Sequence, residues 1–164
     1  MARPEIAPCN RWDTAMRSLL VLNGPNINLL GTRQPDVYGR VTLEMIEKAC
    51  VARASQLGAS VHFVQSNHEG ALIDAIHAAK GTHDGILLNA GAYTHTSIAI
   101  MDAISSVELP MIEIHLSNVH AREAFRHVSY ISKVAVGQIC GFGGKGYVLA
   151  VEAMLHHLDG TDLL

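Results

Sequence analysis

One short segment places a carboxylate, an imidazole and a hydroxyl on the same face of a predicted strand. In residues 111–117, Glu113, His115 and Ser117 alternate with apolar side chains, and side chains of a strand point alternately to its two faces. A buried carboxylate and imidazole are costly unless they pair with each other. When paired, Glu113 favours the charged form of His115, which then suits general acid catalysis. The alternative is a purely structural hydrogen bond at the end of the strand.

A second set of reactive side chains lies in the long segment that follows the first predicted strand. Residues 23–39 contain an amide (Asn26), a cation (Arg33) and a phenol (Tyr38). Connections between strands and helices are usually much shorter, and long ones often act as lids over a site. An ordinary surface loop is the other interpretation.

Two arginines follow the strand that carries His115. Arg122 and Arg126 are four residues apart, so they share one face of a helix predicted over 121–127. The positive end of the helix dipole disfavours cations in the first turns. An anionic substrate bound there explains the arrangement.

Further polar side chains follow the third predicted strand. Asn89 and His95 are hydrogen-bonding residues in this loop, and Asp102 lies on the next predicted helix. Asp102 is either an ordinary surface acid or a residue that reaches a neighbouring subunit.

The elements that carry these residues alternate between short apolar runs and longer amphipathic stretches. Such runs suit strands buried on both faces of a parallel sheet. The predicted strands are 19–22, 61–64, 85–88, 111–116 and 134–139; the predicted helices are 42–57, 69–79, 96–107, 121–127 and 146–158. This order predicts an α/β, flavodoxin-like three-layer sandwich with a five-stranded parallel sheet of order 2-1-3-4-5. The candidate residues then cluster at the carboxyl edge of the sheet, where such folds bind ligands.

The composition excludes several classes of protein. With 164 residues, 49% of them hydrophobic and 16% charged, the chain is long and apolar enough to form a core, and a disordered chain is excluded. The net charge of −3 and the 5% of aromatic residues argue against nucleic-acid binding. No apolar run is long enough to span a membrane. Three separated cysteines predict a reducing cytoplasm.

The chain is predicted to form one domain. Residues 1–17 are expected to be a flexible N-terminal extension, and residues 18–164 a single catalytic domain.

The ten histidines lack the spacing of a metal site, so no metal is predicted; His62, His77, His156 and His157 are expected at the surface. The G-x-G-x-x-G pattern of 141–146 follows the last strand, whereas a dinucleotide fingerprint follows the first, so no cofactor is predicted there.

Together these motifs resemble type II 3-dehydroquinase (3-dehydroquinate dehydratase) of the shikimate pathway. The resemblance runs from about Leu19 to Leu158. It rests on the segments 22–26, 29–31, 65–67, 89–91, 94–97 and 113–118, together with Arg33, Tyr38, Gly39, Arg122 and Arg126. Ile27 stands where leucine is usual, and the residues before Ser18 have no counterpart.

The resemblance implies a hydro-lyase that needs no cofactor and removes water from 3-dehydroquinate by anti elimination through an enolate, giving 3-dehydroshikimate. It implies that Tyr38 is the base, His115 the acid and Arg33 the group that stabilises the transition state. Asn26 is expected to hold a water on the enolate oxygen, and Glu113 to orient His115.

The resemblance also assigns the groups that bind the anionic substrate. Asn89, His95 and Arg126 are expected to bind the ring hydroxyls, the Leu116 and Ser117 amides the carboxylate, and Arg122 to close on the lid. Asp102 is expected to come from a neighbouring subunit of a cytoplasmic homo-oligomer, a dodecamer of four trimers.

Other functions remain as alternatives. A flavodoxin-like module that binds a flavin or a small anion needs a Ser-, Thr- and Gly-rich loop after the first strand, where this chain has Pro25, Leu29 and Leu30. A receiver-type signalling domain needs acidic residues where Asn23 and Asn89 stand. A lysine Schiff base is a chemically different route to the same product, but none of the four lysines lies in an apolar strand.

Overall fold

Five parallel strands form the sheet that positions the candidate site. The structure, a computed structural model, describes residues 16–32 and 41–160. The strands are β1 (Arg17–Asn23), β2 (Ala59–Gln65), β3 (Gly85–Asn89), β4 (Met111–His115) and β5 (Gly137–Cys140). Their order is β2-β1-β3-β4-β5, and each pairing is parallel. The predicted α/β fold and strand order are therefore confirmed.

In the part of the chain that the structure describes, four α-helices cover the two faces of the sheet. They are α1 (Leu43–Gln56), α2 (Glu69–Ala79), α3 (Ile98–Val107) and α4 (Lys145–Asp159). Leu19 and Val21 of β1 point into a core shared with α1 and α4, whereas Leu20 and Leu22 point into a core shared with α2 and α3. This alternation buries both faces of the strand, which explains why the central strands are apolar throughout.

The ends of the helices follow local chemistry that is visible in the sequence. The Thr42 hydroxyl accepts a hydrogen bond from the Met45 amide and caps α1. Gly58 follows this helix with a φ of +71°, a conformation that glycine adopts at little cost. Ser97 caps α3 in the same way by accepting from the Ile100 amide.

Two predicted elements differ from the observed ones. The helix predicted over 121–127 is wrong: the chain forms separate 3₁₀ turns at Val119–Ala121 and Ala124–Arg126. Arg122 and Glu123 between them have extended backbones, with ψ angles of −162° and 142°, so no helix can continue through them. The strand predicted over 134–139 begins later, because a 3₁₀ turn occupies Ile131–Val134.

The last residue of the predicted extension, Arg17, already belongs to the sheet. β1 begins at Arg17, which pairs with Ala59 of β2, and residues 1–15 lie outside the described part of the chain.

Across 16–32 and 41–160, no helix combines the length and apolarity needed to cross a bilayer. His62, His77, His156 and His157 are exposed, as expected. Gly146 is buried at the start of α4 against Ile139, which agrees with a packing role.

Candidate active site

The loops that follow β1, β3 and β4 surround a cavity at the carboxyl edge of the sheet. The first two loops touch at Gly24, whose amide donates to the Asn89 carbonyl over 2.8 Å. A Cβ atom on Gly24 would lie 2.4 Å from the Ala90 carbonyl oxygen, so the backbones approach closely only because this residue is glycine. Since β1 and β3 lie next to each other where the strand order reverses, the cavity occupies the usual ligand position of such sheets.

A buried carboxylate and imidazole form the floor of this cavity. His115 Nε2 lies 2.8 Å from Glu113 Oε1, and the two side chains are 7% and 0% exposed. His115 lines the cavity at the end of β4. The pairing that the alternation along β4 predicted is therefore present, and the ring nitrogen left for a ligand is Nδ1.

Two further side chains hold Glu113, and sequence reasoning missed both. The Ser129 hydroxyl lies 2.9 Å from Oε1 and 3.1 Å from Oε2, and Gln138 Nε2 donates to Oε2 over 2.9 Å. Gln138 is the register partner of Glu113 on β5, so a correctly placed fifth strand would have revealed it. Ser129 lies in an irregular segment, where no pattern in the sequence points to it.

His95 stacks on His115 at one side of the cavity. The ring centroids are 6.4 Å apart with an angle of 11° between the planes. His95 Nδ1 lies 2.8 Å from the carbonyl oxygen of Val128, which can only accept, so Nδ1 carries a hydrogen. In the neutral ring Nε2 is then an acceptor, which suits a hydroxyl group of a ligand.

Asn89 is anchored from below by a residue that the sequence analysis did not single out. Its Nδ2 donates to the Tyr147 hydroxyl over 2.7 Å, and its Oδ1 accepts from the Gly91 amide over 3.2 Å. The Tyr147 hydroxyl in turn donates to Asn23 Oδ1 over 2.7 Å. These contacts fix the orientation of the Asn89 amide, whose Nδ2 has a second hydrogen for a ligand in the cavity.

Asn26 lies at the edge of the cavity in a left-handed conformation, with a φ of +68°. Its backbone amide donates to Asn67 Oδ1 over 3.0 Å, and Gln65 Nε2 donates to the same oxygen over 3.1 Å. The end of β2 therefore holds the start of the loop that carries Asn26. Arg33 and Tyr38, which belong to the same loop, lie outside the described residues.

The two predicted arginines line the cavity together although the predicted helix is absent. Glu123 joins them, since its Oε2 lies 2.9 Å from Arg126 Nε and 3.4 Å from Arg122 Nε. The hydrogen bond from its own backbone amide, with the hydrogen bond from Arg126 and the charges of both arginines, holds the pKa of the Glu123 carboxyl below its usual range. Arg122 Nη1 also donates to the Ser117 hydroxyl over 3.4 Å. Two guanidinium groups against one carboxylate leave a net positive charge, which favours an anionic ligand.

The remaining candidates divide into two groups. Leu116 and Ser117 line the cavity directly after β4. Asp102 lies on α3 with an exposed side chain and does not line the cavity of its own chain.

Comparison with known proteins identifies the family. A model of the family described as "Dehydroquinase class II" matches residues 17–155. The chain is 71% identical to a 3-dehydroquinate dehydratase of Ruegeria pomeroyi over 144 residues, 88% of this chain and 97% of the relative. It is 58% identical to a catabolic 3-dehydroquinase of Emericella nidulans over 136 residues, 83% of this chain and 89% of the relative.

Solved structures agree with the sequence matches. The crystal structure of a type II dehydroquinase from Butyrivibrio crossotus superimposes with a TM-score of 0.83 at 44% identity, covering 85% of this chain and 98% of that one. These matches do not favour the alternative of a flavin- or anion-binding module. Because the family match spans both the sheet and the cavity residues, the chain belongs to the class II dehydroquinase family.

Proposed function

We propose that the chain removes water from 3-dehydroquinate by anti elimination through an enolate, with Tyr38 as base and His115 as acid. The enzyme is a hydro-lyase, and the observation that carries the proposal is the buried Glu113–His115 pair below a cavity lined by two arginines. A base removes the proton next to the ketone, and the electron pair moves into the enolate. The enolate then collapses, the carbon–oxygen bond breaks, and the departing hydroxide takes a proton to leave as water.

His115 suits the second step. Glu113 holds Nε2, so a proton delivered to the leaving group comes from Nδ1 of a ring whose orientation is fixed. The charge of Glu113 stabilises the imidazolium before the transfer, and burial strengthens this interaction by excluding water. Glu113 thus orients and charges the acid without touching the substrate.

Tyr38 is the proposed base, and Arg33 makes it competent. A phenol is largely protonated at neutral pH, so its ionised form needs a nearby cation. Arg33 is five residues away in the same loop and is our candidate for that cation. Tyr147, the phenol that anchors Asn89, is unsuitable as a base because burial raises its pKa far above the usual range.

The other cavity residues are proposed to bind the substrate. His95 Nε2 can accept a hydrogen bond from a ring hydroxyl, and Asn89 can donate one. Arg126 is proposed to bind a ring hydroxyl as well, and the backbone amides of Leu116 and Ser117 are proposed to bind the substrate carboxylate. Asn26 is proposed to hold a water on the enolate oxygen, and Arg122 to close on the lid.

We further propose that the enzyme acts in the cytoplasm as a dodecamer of four trimers, in which Asp102 completes the site of a neighbouring subunit. The Asp102 side chain is exposed and does not line the cavity of its own chain, which supports this arrangement. Light scattering in solution measures the number of subunits directly.

Coexpression of two impaired variants tests the shared site. We expect Asp102→Ala to lower kcat/KM by about tenfold or more, as for other lost hydrogen bonds to charged groups. When Asp102→Ala and His115→Ala chains are coexpressed, random assembly gives about a quarter of the sites both intact residues, so activity returns. Mixed assemblies that are no more active than Asp102→Ala alone would contradict a shared site.

The direct test of the overall reaction is spectroscopic. Addition of 3-dehydroquinate should produce the ultraviolet absorbance of a conjugated enone without any added metal or cofactor. The unchanged spectrum of the substrate after prolonged incubation would overturn the proposed activity.

Borohydride treatment separates this mechanism from a Schiff base. The four lysines, Lys48, Lys80, Lys133 and Lys145, are all exposed, and none lines the cavity. We therefore expect borohydride with substrate to leave the activity unchanged within about twofold, since no desolvated amine is available. The enone assay measures the remaining activity, and intact-mass measurement detects any covalent adduct. A reduced covalent adduct would show that the elimination uses an imine.

A further inference from the structure

Ser129 and Gln138 make an unusually complete set of contacts with one buried carboxylate. Together with His115 they place donors on both oxygens of Glu113, over distances of 2.8 to 3.1 Å. The Glu113 side chain is 0% exposed, so these groups take the place of water around it. The three residues come from separate segments: β4, the irregular segment before Ile131–Val134, and β5.

The Ser129 hydroxyl makes contacts in two directions. The Ser132 amide donates to Ser129 Oγ over 2.9 Å, so that oxygen already accepts one hydrogen bond. The hydrogen of the Ser129 hydroxyl is directed to Glu113. The Gln138 amide nitrogen is a donor only. Both neutral partners of the carboxylate thus present hydrogens to it.

This arrangement determines where a proton shared by Glu113 and His115 resides. An ionised carboxylate accepts hydrogen bonds on both oxygens, and Ser129 and Gln138 present donors to both of them. Hydrogen bonds to the charged form of a carboxylate favour that form. The hydrogen bonds from Ser129 and Gln138 therefore favour the ionised form of Glu113, the form that pairs with a charged imidazole.

The other titratable groups around the pair leave this conclusion unchanged. His95 stacks on His115 but donates its Nδ1 hydrogen away from it, to Val128. Cys140 is the register partner of His115 on β5. Burial and the charge of Glu113 raise the pKa of the Cys140 thiol to about 11, so the thiol stays neutral. Arg122 and Arg126 line the same cavity and carry their charge at every relevant pH.

We infer that Ser129 and Gln138 are positioning residues that keep Glu113 ionised and thereby keep the acid proton on His115. Neither touches the reacting atoms; they act through Glu113. The inference rests on the proposed function of His115 as the acid. It goes beyond that function by naming the residues that determine the protonation state of the acid.

Three variants and one matched control test the inference in the full-length enzyme. Gln138→Met keeps the length of an exposed side chain and removes its donor. Ser129→Ala removes the other donor, and Ser129→Thr restores a hydroxyl. Ser132→Ala is the control, because it removes a hydroxyl from the same turn whose contact is with the Ser129 carbonyl and not with Glu113.

We expect Gln138→Met and Ser129→Ala each to lower kcat by about tenfold, and the double variant by about a hundredfold, with KM within about threefold of wild type. Ser129→Thr should recover most of the loss, and Ser132→Ala should match the wild type. At the pH of maximal activity, ¹⁵N spectra of His115 should show an imidazolium in the wild type and a neutral ring in the double variant.

Several results would overturn the inference. One is a wild-type kcat in Gln138→Met, which remains informative even if Ser129→Ala does not fold. Another is a loss confined to KM, or an unchanged His115 spectrum in the double variant. Failure of the proposed function is distinguishable, because the wild-type enzyme and Ser132→Ala would then also lack turnover.

Discussion

Tyr38→Phe is expected to lower kcat by about 10²–10⁴-fold while the protein keeps its fold. General acid–base catalysis contributes factors of this size, and the substitution removes only the oxygen that accepts the proton. Steady-state kinetics from the enone absorbance measure the loss, and circular dichroism and the melting temperature check the fold. KM should change little, because the groups proposed to bind the substrate are other residues, which line the cavity.

Tyr130→Phe is the matched control for the loss of a tyrosine hydroxyl. Tyr130 lies outside the set of residues that line the cavity, and the Lys133 ammonium lies 5.0 Å from the centre of its ring. The Tyr130→Phe variant should have the same activity as the wild type. If Tyr38→Phe retained more than about a tenth of the wild-type kcat, Tyr38 would not be the base.

His115→Ala is expected to have the second large effect, a fall in kcat of about 10²–10⁴-fold. The hydroxide would then have to leave without a proton from the enzyme. Glu113→Gln should also lower kcat, because an amide cannot stabilise the imidazolium by charge. It should also destabilise the fold, since its amide hydrogens would face the donors of Ser129 and Gln138.

A histidine on the surface provides the control for this prediction. His77→Ala changes an exposed side chain on α2 and should leave kcat and KM unchanged. The same assay measures all three variants, with the melting temperature of each as a check on folding. Wild-type turnover by His115→Ala would contradict its role as the acid.

Local patterns in the sequence predicted the fold and the floor of the site. Alternation along β4 was enough to place Glu113 and His115 on one face, because the side-chain period of a strand is fixed by its backbone. Thr42 caps the start of α1 and Gly58 follows its end, and both effects depend on the residue type at one position. The strand order followed from general rules for parallel sheets.

The missed features depend on contacts between distant parts of the chain. Ser129 and Gln138 lie 16 and 25 residues from Glu113, and Tyr147 lies 58 residues from Asn89. No local pattern reports such separations. The helix predicted over 121–127 was wrong, because this amphipathic stretch forms two separate 3₁₀ turns. In the structure, Glu123 pairs with both arginines from an extended backbone.

Exchange of hydrogen for deuterium next to the ketone tests most directly whether Tyr38 is the base and His115 the acid. The substrate is incubated in D₂O with each inactive variant and followed by proton NMR. In His115→Ala, Tyr38 still forms the enolate and returns a deuteron, so the signal of that proton should disappear while the substrate persists. In Tyr38→Phe the signal should remain. Exchange in Tyr38→Phe, or none in His115→Ala, would contradict a stepwise elimination with these two residues as base and acid.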